Sequence, residues 1–366
     1  MTVARTLARQ FRGDGYSSGV VSLGPSSELL MDPMVWADMN DVRYVTINRR
    51  GDLSSMLQVT EAVRSMKPRI VVCHSHRHAP ALVAGMTARG RMPKIVVVEH
   101  HSSALRNRSH NVQSGLALAC SNAVVLLSEA GQAGYPFLNS RLPGARRQAI
   151  IPNGVDTAIF PSVRGTRDTG TPPTLVIGMT SRLTPTKEHP VLIRAVGELK
   201  ASGALRGIRL ELAGTGPTHD SLVSLVLELG LEQEVNFRGH IDGQALVDYY
   251  SGLDVYAHAT LGEGVSIALL EAAAARVPIV ASDVAGVQDV FIDGETAVLV
   301  PPSDVSALAN GIMRASRRDA SVSISEAAWS MVDRKYSARR MMQGYLDLFS
   351  RIDPKGPWVS GTSTAK

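Results

Sequence analysis

Short runs of β-branched and aliphatic residues recur along the chain, and between them apolar residues return every three or four positions. The runs predict strands at 19–23, 43–47, 69–73, 94–98, 123–127 and 149–151, then at 175–179, 209–213, 235–238, 255–258, 278–281 and 297–300. Helical spacing fills the intervals, as over 188–201, 218–229 and 243–251. Short β-branched runs alternating with longer helical stretches are the pattern of parallel sheets built from βαβ units. The pattern therefore reads as α/β: two doubly wound domains in succession.

A chain of 366 residues is long for one core and comfortable for two. The boundaries read from the pattern are 1–152 for a first domain, 153–330 for a second, 331–352 for a C-terminal helix packing back toward the first domain, and 353–366 for a disordered tail. The stretch 164–173 (RGTRDTGTPP) is turn-rich and polar, fit for a linker or exposed loop. The N-terminus departs from the scheme. Val3, Leu7 and Phe11 form a helical stripe ahead of the first strand, whereas a doubly wound domain opens with a central strand and a Gly-rich turn. A late start of the chain is the favoured explanation; another segment filling the gap is the alternative.

Charge separates the two halves. Residues 1–152 carry 18 Lys and Arg against 9 Asp and Glu, whereas 153–366 carry 20 against 24. A basic first half suits an anionic membrane surface, a phosphorylated acceptor or nucleic acid. Nucleic acid is the poorest fit, because aromatics are 5% of the chain and no stacking motif interleaves the arginines. Cys73 and Cys120 lie in or beside apolar runs and read as buried thiols, which fits a reducing compartment. Neither a signal peptide nor a run approaching the ~20 apolar residues of a spanning helix is evident, so a cytoplasmic location is expected.

The candidate chemistry follows strand ends. Arg182 and Lys187 come just after the strand at 175–179, where open α/β sheets bind ligands, and supply a planar fork and a point charge for phosphate. A solvated basic turn explains the pair equally well. Gly214 and Gly216 end the next strand, either to let backbone approach a ligand or simply to turn. In GEGVSIALLE (262–271), Glu263 lies in the loop beyond 255–258, Ser266 is placed as a helix N-cap, and Glu271 falls in that helix's second turn. Free N–H groups at such a helix start attract a phosphate, and flanking carboxylates accept hydrogen bonds from sugar hydroxyls. His74, His76 and His78 alternate beyond a strand, but without an acidic partner at ligand spacing they read as cleft-lining or structural residues, not a metal site.

Taken in order, SRLTPTKEHPVLIRAVGEL, LAGTGP, VNFRGH and EGVSIALLEAAAARVPIVASDVAGVQDVFIDGETAVLVPPSD resemble the family 4 retaining glycosyltransferases, glycosyl transferases group 1. IPNGVD at 151–156 matches that family's interdomain crossing. The resemblance covers roughly residues 1–350 and implies the GT-B fold, two Rossmann-like domains facing across a cleft. It implies that Arg182 and Lys187 hold the diphosphate of a nucleotide-sugar donor, that Glu271 binds the ribose and that Glu263 faces the transferred sugar. Backbone at Val265, Ser266 and Ile267 would approach sugar and phosphate, with Gly214 and Gly216 on the donor side and Arg238 and His240 bordering the base. His100, with His101 as its close alternative, matches the histidine that reaches the reacting centre.

The implied activity is hexosyl transfer with retention, needing no cofactor or metal, in cell-surface polysaccharide or glycolipid synthesis. The acceptor would be a glycan, a lipid-linked sugar or a phosphorylated small molecule, with peripheral contact to acidic membrane at the inner face of the plasma membrane and no nucleic acid partner. The second reading is a catalytically silent GT-B protein that binds a nucleotide-sugar or serves in assembly. Four positions depart from the family pattern. Ser266, Arg276 and Ala285 stand for usual glycines and Asp289 for a usual glutamate, changes expected to narrow or reshape the donor pocket.

Overall fold

All twelve runs read as strands are strands, with no end displaced by more than one residue. The computed structural model describes residues 2–23, 43–47, 53–74, 92–99, 108–129, 132, 141–143, 145, 147–160, 174–203, 205 and 207–358. The stretch 164–173 lies outside them, as do His76, His78, His100 and His101. The chain divides into two units, Met1–Gly154 with Ala338–Lys366, and Val155–Ser337.

The first unit begins with α1 (Thr2–Gly13), β1 (Gly19–Leu23), β2 (Arg43–Ile47), α2 (Leu53–Met66), β3 (Ile70–Cys73), β4 (Lys94–Glu99), α3 (Arg108–Cys120), β5 (Ala123–Leu126) and β6 (Gln148–Ile150). Among the described residues β1 pairs with β2, and β3 through β6 form a separate sheet in chain order; every pairing is parallel. Alternate residues of β4 serve the two faces. Val96 and Val98 pack with Leu7 and Phe11 of α1, while Ile95 and Val97 pack with Val59 and Val63 of α2. That double covering is why β4 is apolar at every central position. Cys73 and Cys120 are free and partly buried, and burial pushes the Cys73 thiol up to about 12.

The second unit contains β7 (Leu175–Thr180), α4 (His189–Ala201), β8 (Ile208–Ala213), α5 (His219–Glu228), β9 (Val235–Gly239), α6 (Gly243–Ser251), β10 (Val255–His258), α7 (Ile267–Ala274), β11 (Ile279–Ser282), α8 (Ala285–Gln288), β12 (Val298–Val300), α9 (Val305–Ser316) and α10 (Arg318–Lys335). Its six strands are ordered β12-β11-β10-β7-β8-β9, all parallel. The chain winds outward from β7 to β9, then crosses back to β10 and winds the other way. Open sheets bind ligands beyond the carboxyl ends of the two strands flanking such a reversal, here β7 and β10.

The expected helix over 331–352 is two helices. α10 ends at Lys335, Val155 donates its N–H to the Tyr336 carbonyl at 2.9 Å and pairs with Ser337, and α11 (Ala338–Ile352) starts anew. α11 belongs to the first unit, where Met341, Met342, Tyr345, Leu346, Leu348, Phe349 and Ile352 join the core of Leu7, Phe11 and Ile151. The tail is not disordered from 353 onward. Asp353 accepts from Arg69 Nε (2.8 Å) and Nη2 (2.9 Å), and Trp358 stacks on Tyr16 while its Nε1 donates to Asp353. Residues 359–366 lie outside the described residues. Local composition missed this anchoring because Arg69 is 284 positions away.

Candidate active site at the reversal of the second sheet

β7 ends at Thr180 and passes the chain to the segment holding Arg182 and Lys187. Two glycines of the neighbouring strand let this segment lie close. A Cβ on Gly214, at φ +138, would meet the Ser181 carbonyl at 1.8 Å, and one on Gly216 would meet the Leu183 carbonyl at 2.2 Å. Their role in this arrangement is to seat the Arg182 backbone, a closer approach than either sequence-based alternative anticipated. Arg182 itself is exposed and, among the described residues, has no ion-pair partner.

Lys187 closes a single 3-10 turn, Pro185–Lys187, and the next residue holds that turn in place. Glu188 is buried at φ +27, and its carboxylate accepts from the Ser303 N–H (3.2 Å) and hydroxyl (2.5 Å). A second tie comes from β10. The Thr186 carbonyl accepts from the Leu261 N–H at 2.9 Å and from Thr260 Oγ1 at 3.2 Å, so the loop bearing Glu263 is fastened to the turn bearing Lys187. α8 presses on the same loop: a Cβ on Gly286 would stand 2.2 Å from the Glu263 carbonyl.

The functional atoms meet there. Lys187 Nζ donates to Glu263 Oε1, and His258 Nε2 lies 2.7 Å from the same oxygen. Burial, reinforced by the charge of Arg182, pushes the Lys187 ammonium down to about 8 despite its carboxylate partner. Burial, then the Lys187 charge, holds His258 well below the ordinary histidine range, so its ring is neutral. His189, also buried, sits with Nε2 at 2.9 Å from Ser181 Oγ; burial and Lys187 push it down to about 4. Its Nδ1 has no partner among the described residues.

α7 starts after Ser266, as expected, and Glu271 lies in its second turn. Ser266 has φ −72, an ordinary value for any side chain, and its hydroxyl makes no capping bond, so the first-turn N–H groups are not taken up by it. The Glu271 carboxyl is enclosed, 3.1 Å from the Tyr250 hydroxyl, and enclosure pushes it up to about 7. Arg238 and His240 lie at the end of β9, beside the glycine turn through the Gly214 N–H to Gly239 carbonyl bond at 2.7 Å. Arg238 Nε is 3.7 Å from Glu211, which also pairs with Arg209.

Of the residues expected at the site, Arg182, Lys187, Gly214, Gly216, Glu263, Val265, Ser266, Ile267 and Glu271 therefore gather at the carboxyl ends of β7, β8 and β10. His100 lies outside the described residues. Arg276, at φ +55, engages Glu326 at 2.9 Å and the Trp329 ring at 3.9 Å, both on α10, and contributes nothing to this group. Thr180, Tyr250, Tyr256 and His258 join the group without being among the residues expected from the sequence. A signal existed in β10, where Tyr256 and His258 put two polar groups at alternate positions of an otherwise apolar strand. No group of three His, Cys, Asp or Glu able to hold a metal occurs among the described residues.

Two parallel α/β units, with cationic and acidic groups gathered where one sheet reverses, define the GT-B class of fold. Family models match both halves: Glycosyltransferase Family 4 over residues 2–159 and Glycosyl transferases group 1 over residues 169–329. The chain belongs to this glycosyltransferase family. It is 30% identical over 204 residues to the GDP-mannose-dependent alpha-(1-6)-phosphatidylinositol monomannoside mannosyltransferase of Mycolicibacterium smegmatis, a match covering 52% of this chain and 53% of that one. The chain thus spans about half the length of that relative. Among solved structures it resembles Anabaena Alr3699/HepE in complex with UDP and glucose, with TM-score 0.76, 17% identity and 95% of each chain covered. It also resembles the sucrose-phosphate synthase of Thermosynechococcus elongatus, with TM-score 0.76, 19% identity, and 96% and 93% covered. At these identities the structural likeness concerns the fold. No helix among the described residues is long and apolar enough to cross a membrane.

Proposed function

We propose that this chain transfers a hexose from a nucleoside-diphosphate sugar to an acceptor, with retention at the anomeric carbon. The observation that carries the reading is the Lys187–Glu263–His258 cluster with Glu271 one helix turn into α7, at the reversal point of a parallel sheet. Arg182 and Lys187 supply positive charge for the departing diphosphate, and the first-turn N–H groups of α7, which the Ser266 hydroxyl leaves uncapped, add to it. Glu263 is held by two donors at the position the family assigns to the transferred sugar. Glu271 meets the ribose. Front-face displacement through an oxocarbenium-like state suits a site whose charges are electrostatic stabilisers, and it calls on no cofactor or metal ion.

The acceptor class proposed is a glycan, a lipid-linked sugar or a phosphorylated small molecule. The basic first half would rest on acidic membrane at the inner face of the plasma membrane, in polysaccharide or glycolipid synthesis.

Released nucleoside diphosphate is the direct readout. UDP-glucose and GDP-mannose, the donors suggested by the relatives, are incubated with the protein and a panel of acceptors. Lys187→Ala is expected to weaken nucleoside diphosphate binding by about tenfold or more, equivalent to ~1.4 kcal/mol; unchanged calorimetric affinity would contradict the diphosphate role. Glu271→Ala is expected to weaken binding of ribonucleotides and leave pyrophosphate affinity nearly intact. Equal losses for both would remove the ribose role. Tight donor binding with no turnover on any acceptor would favour the silent, binding-only reading.

A further inference from the structure

Behind the two glutamates runs a chain of side chains whose hydrogens can be counted. Glu271 Oε2 lies 3.1 Å from Tyr250 Oη, which lies 2.7 Å from Thr180 Oγ1. Thr180 Oγ1 lies 3.0 Å from Tyr256 Oη, and that oxygen lies 3.2 Å from His258 Nδ1. His258 Nε2 completes the chain at 2.7 Å from Glu263 Oε1. Each of these five links needs one hydrogen. Tyr250, Thr180, Tyr256 and a neutral imidazole bring four.

No other neighbour among the described residues supplies the fifth. His258 is fully enclosed beside the Lys187 ammonium and stays neutral. The carbonyls of Ala268, 3.1 Å from Tyr250 Oη, and of Thr180, 3.1 Å from Tyr256 Oη, only accept. The Thr180 N–H, 3.2 Å from Tyr256 Oη, adds a donor to an oxygen already in the chain without serving any of the five links. Among the described residues Lys187 donates to Glu263 alone. Of the two end carboxyls, Glu263 presents to the Lys187 ammonium a carboxylate oxygen that accepts, so the remaining group able to carry a hydrogen is the Glu271 carboxyl.

We propose that Glu271 is a protonated, hydrogen-donating carboxylic acid while the nucleotide site is empty, and that it ionises and releases this proton to solvent when ribose hydroxyls donate to it. With the acid in place every link has a direction. Glu271 donates to Tyr250, Tyr250 to Thr180, Thr180 to Tyr256, Tyr256 to His258 Nδ1, and His258 Nε2–H to Glu263. The release step rests on the ribose reading of Glu271; the acid itself does not. When ribose hydroxyls arrive, the carboxylate is the better acceptor. Tyr250 then turns its hydrogen to Glu271 and Thr180 gives its own to Tyr250. Tyr256 keeps His258 Nδ1 and accepts from the Thr180 N–H. His258 therefore retains one tautomer, and its bond to Glu263, in both states. Tyr256 and His258 are positioning residues for Glu263.

The titratable groups coupled to Glu271 are Tyr250 of α6 and Tyr256 of β10. Burial raises both hydroxyls above the ordinary tyrosine range, so neither titrates near neutrality. Enclosure of Glu271, opposed by the Tyr250 hydrogen bond, pushes its carboxyl up to about 7, in keeping with the count.

The test begins with the empty protein, labelled with carbon-13 at the glutamate carboxyls, the Glu271 signal being assigned by its loss in Glu271→Gln. A midpoint near 7 is expected, and one in the ordinary carboxylate range below about 5 overturns the acid. Thr180→Val cuts the chain into pieces whose hydrogens suffice without a fifth, so the midpoint should fall by about half a unit or more. An unchanged midpoint there leaves burial as the sole cause and overturns the relay. Calorimetry of UDP and GDP in buffers of unlike ionisation enthalpy, at pH about 6, then reads the release. Wild type should release roughly one proton more than Glu271→Gln; equal numbers overturn the release step. A neutral midpoint with no binding of either nucleotide upholds the acid and overturns the release step together with the donor-site reading.

Discussion

Glu188 sets backbone strain against side-chain chemistry at a single position. Left-handed backbone costs a non-glycine residue about 1 kcal/mol, whereas hydrogen bonds to a charged group contribute roughly 1.5–3 kcal/mol. Its carboxylate takes two hydrogens from Ser303, itself at φ +60. The balance favours the clasp. Glu188→Gly is expected to lower the stability of the second unit by about 1–2 kcal/mol, because the Ser303 N–H loses its partner. Ser303→Gly, which relieves strain and keeps that N–H bonded, should stay within about 0.5 kcal/mol of wild type. Hydrogen exchange of the β7 and β8 amides measures both, and stronger protection in Glu188→Gly would show that strain outweighs the clasp. Arg182, Lys187, Glu263 and Glu271 were legible in the sequence because each follows a strand end at which such sheets bind ligands. Tyr250 and Tyr256 were not, since an aromatic on a buried face looks like packing until its hydroxyl finds a partner.

The elements were legible almost to the residue for a physical reason. Strands covered by helices on both faces carry few polar positions to blur their ends, and the helices between them carry a separate period. Features that depend on partners distant in the chain escaped. The Asp353–Arg69 pair and the break between α10 and α11 have no local cue, and neither do the close approaches that make Gly214, Gly216 and Gly286 necessary. Gly286 bears on function at this scale. α8 begins against the Glu263 loop, and a methyl group there has no room beside the Glu263 carbonyl. Gly286→Ala should therefore push that loop away from Lys187 and weaken nucleotide-sugar binding by about tenfold, with a smaller loss for the bare nucleoside diphosphate. Equal losses measured by calorimetry would mean that the loop positions phosphate and not sugar.

The chain enters the second unit at Val155 and leaves it at Ser337, and these two residues pair directly. The first unit is thereby made from two separated stretches of sequence. Seven buried side chains of α11 complete its core, and burial of such groups contributes roughly 1.5–3 kcal/mol each. Their sum exceeds most of the ~5–15 kcal/mol by which a domain is stable. A chain ending at Ser337 should keep the second unit folded and lose the first. Hydrogen exchange would show protection retained in β7 and lost in β4, and preserved protection of the Val96–Val98 amides would mean that α11 is an accessory.

This discontinuity also sets an order of events at the ribosome. The second unit is contiguous and can fold as soon as it emerges. The first, although synthesised earlier, waits for α11, roughly two hundred residues after Gly154. At about 5–20 residues per second that delay is roughly 10–40 s, during which the face of β4 and β5 that α1 and α11 share has α1 but not α11 against it. The earlier-born unit is the later to mature, and its half-covered sheet is the surface that chaperones would have to guard.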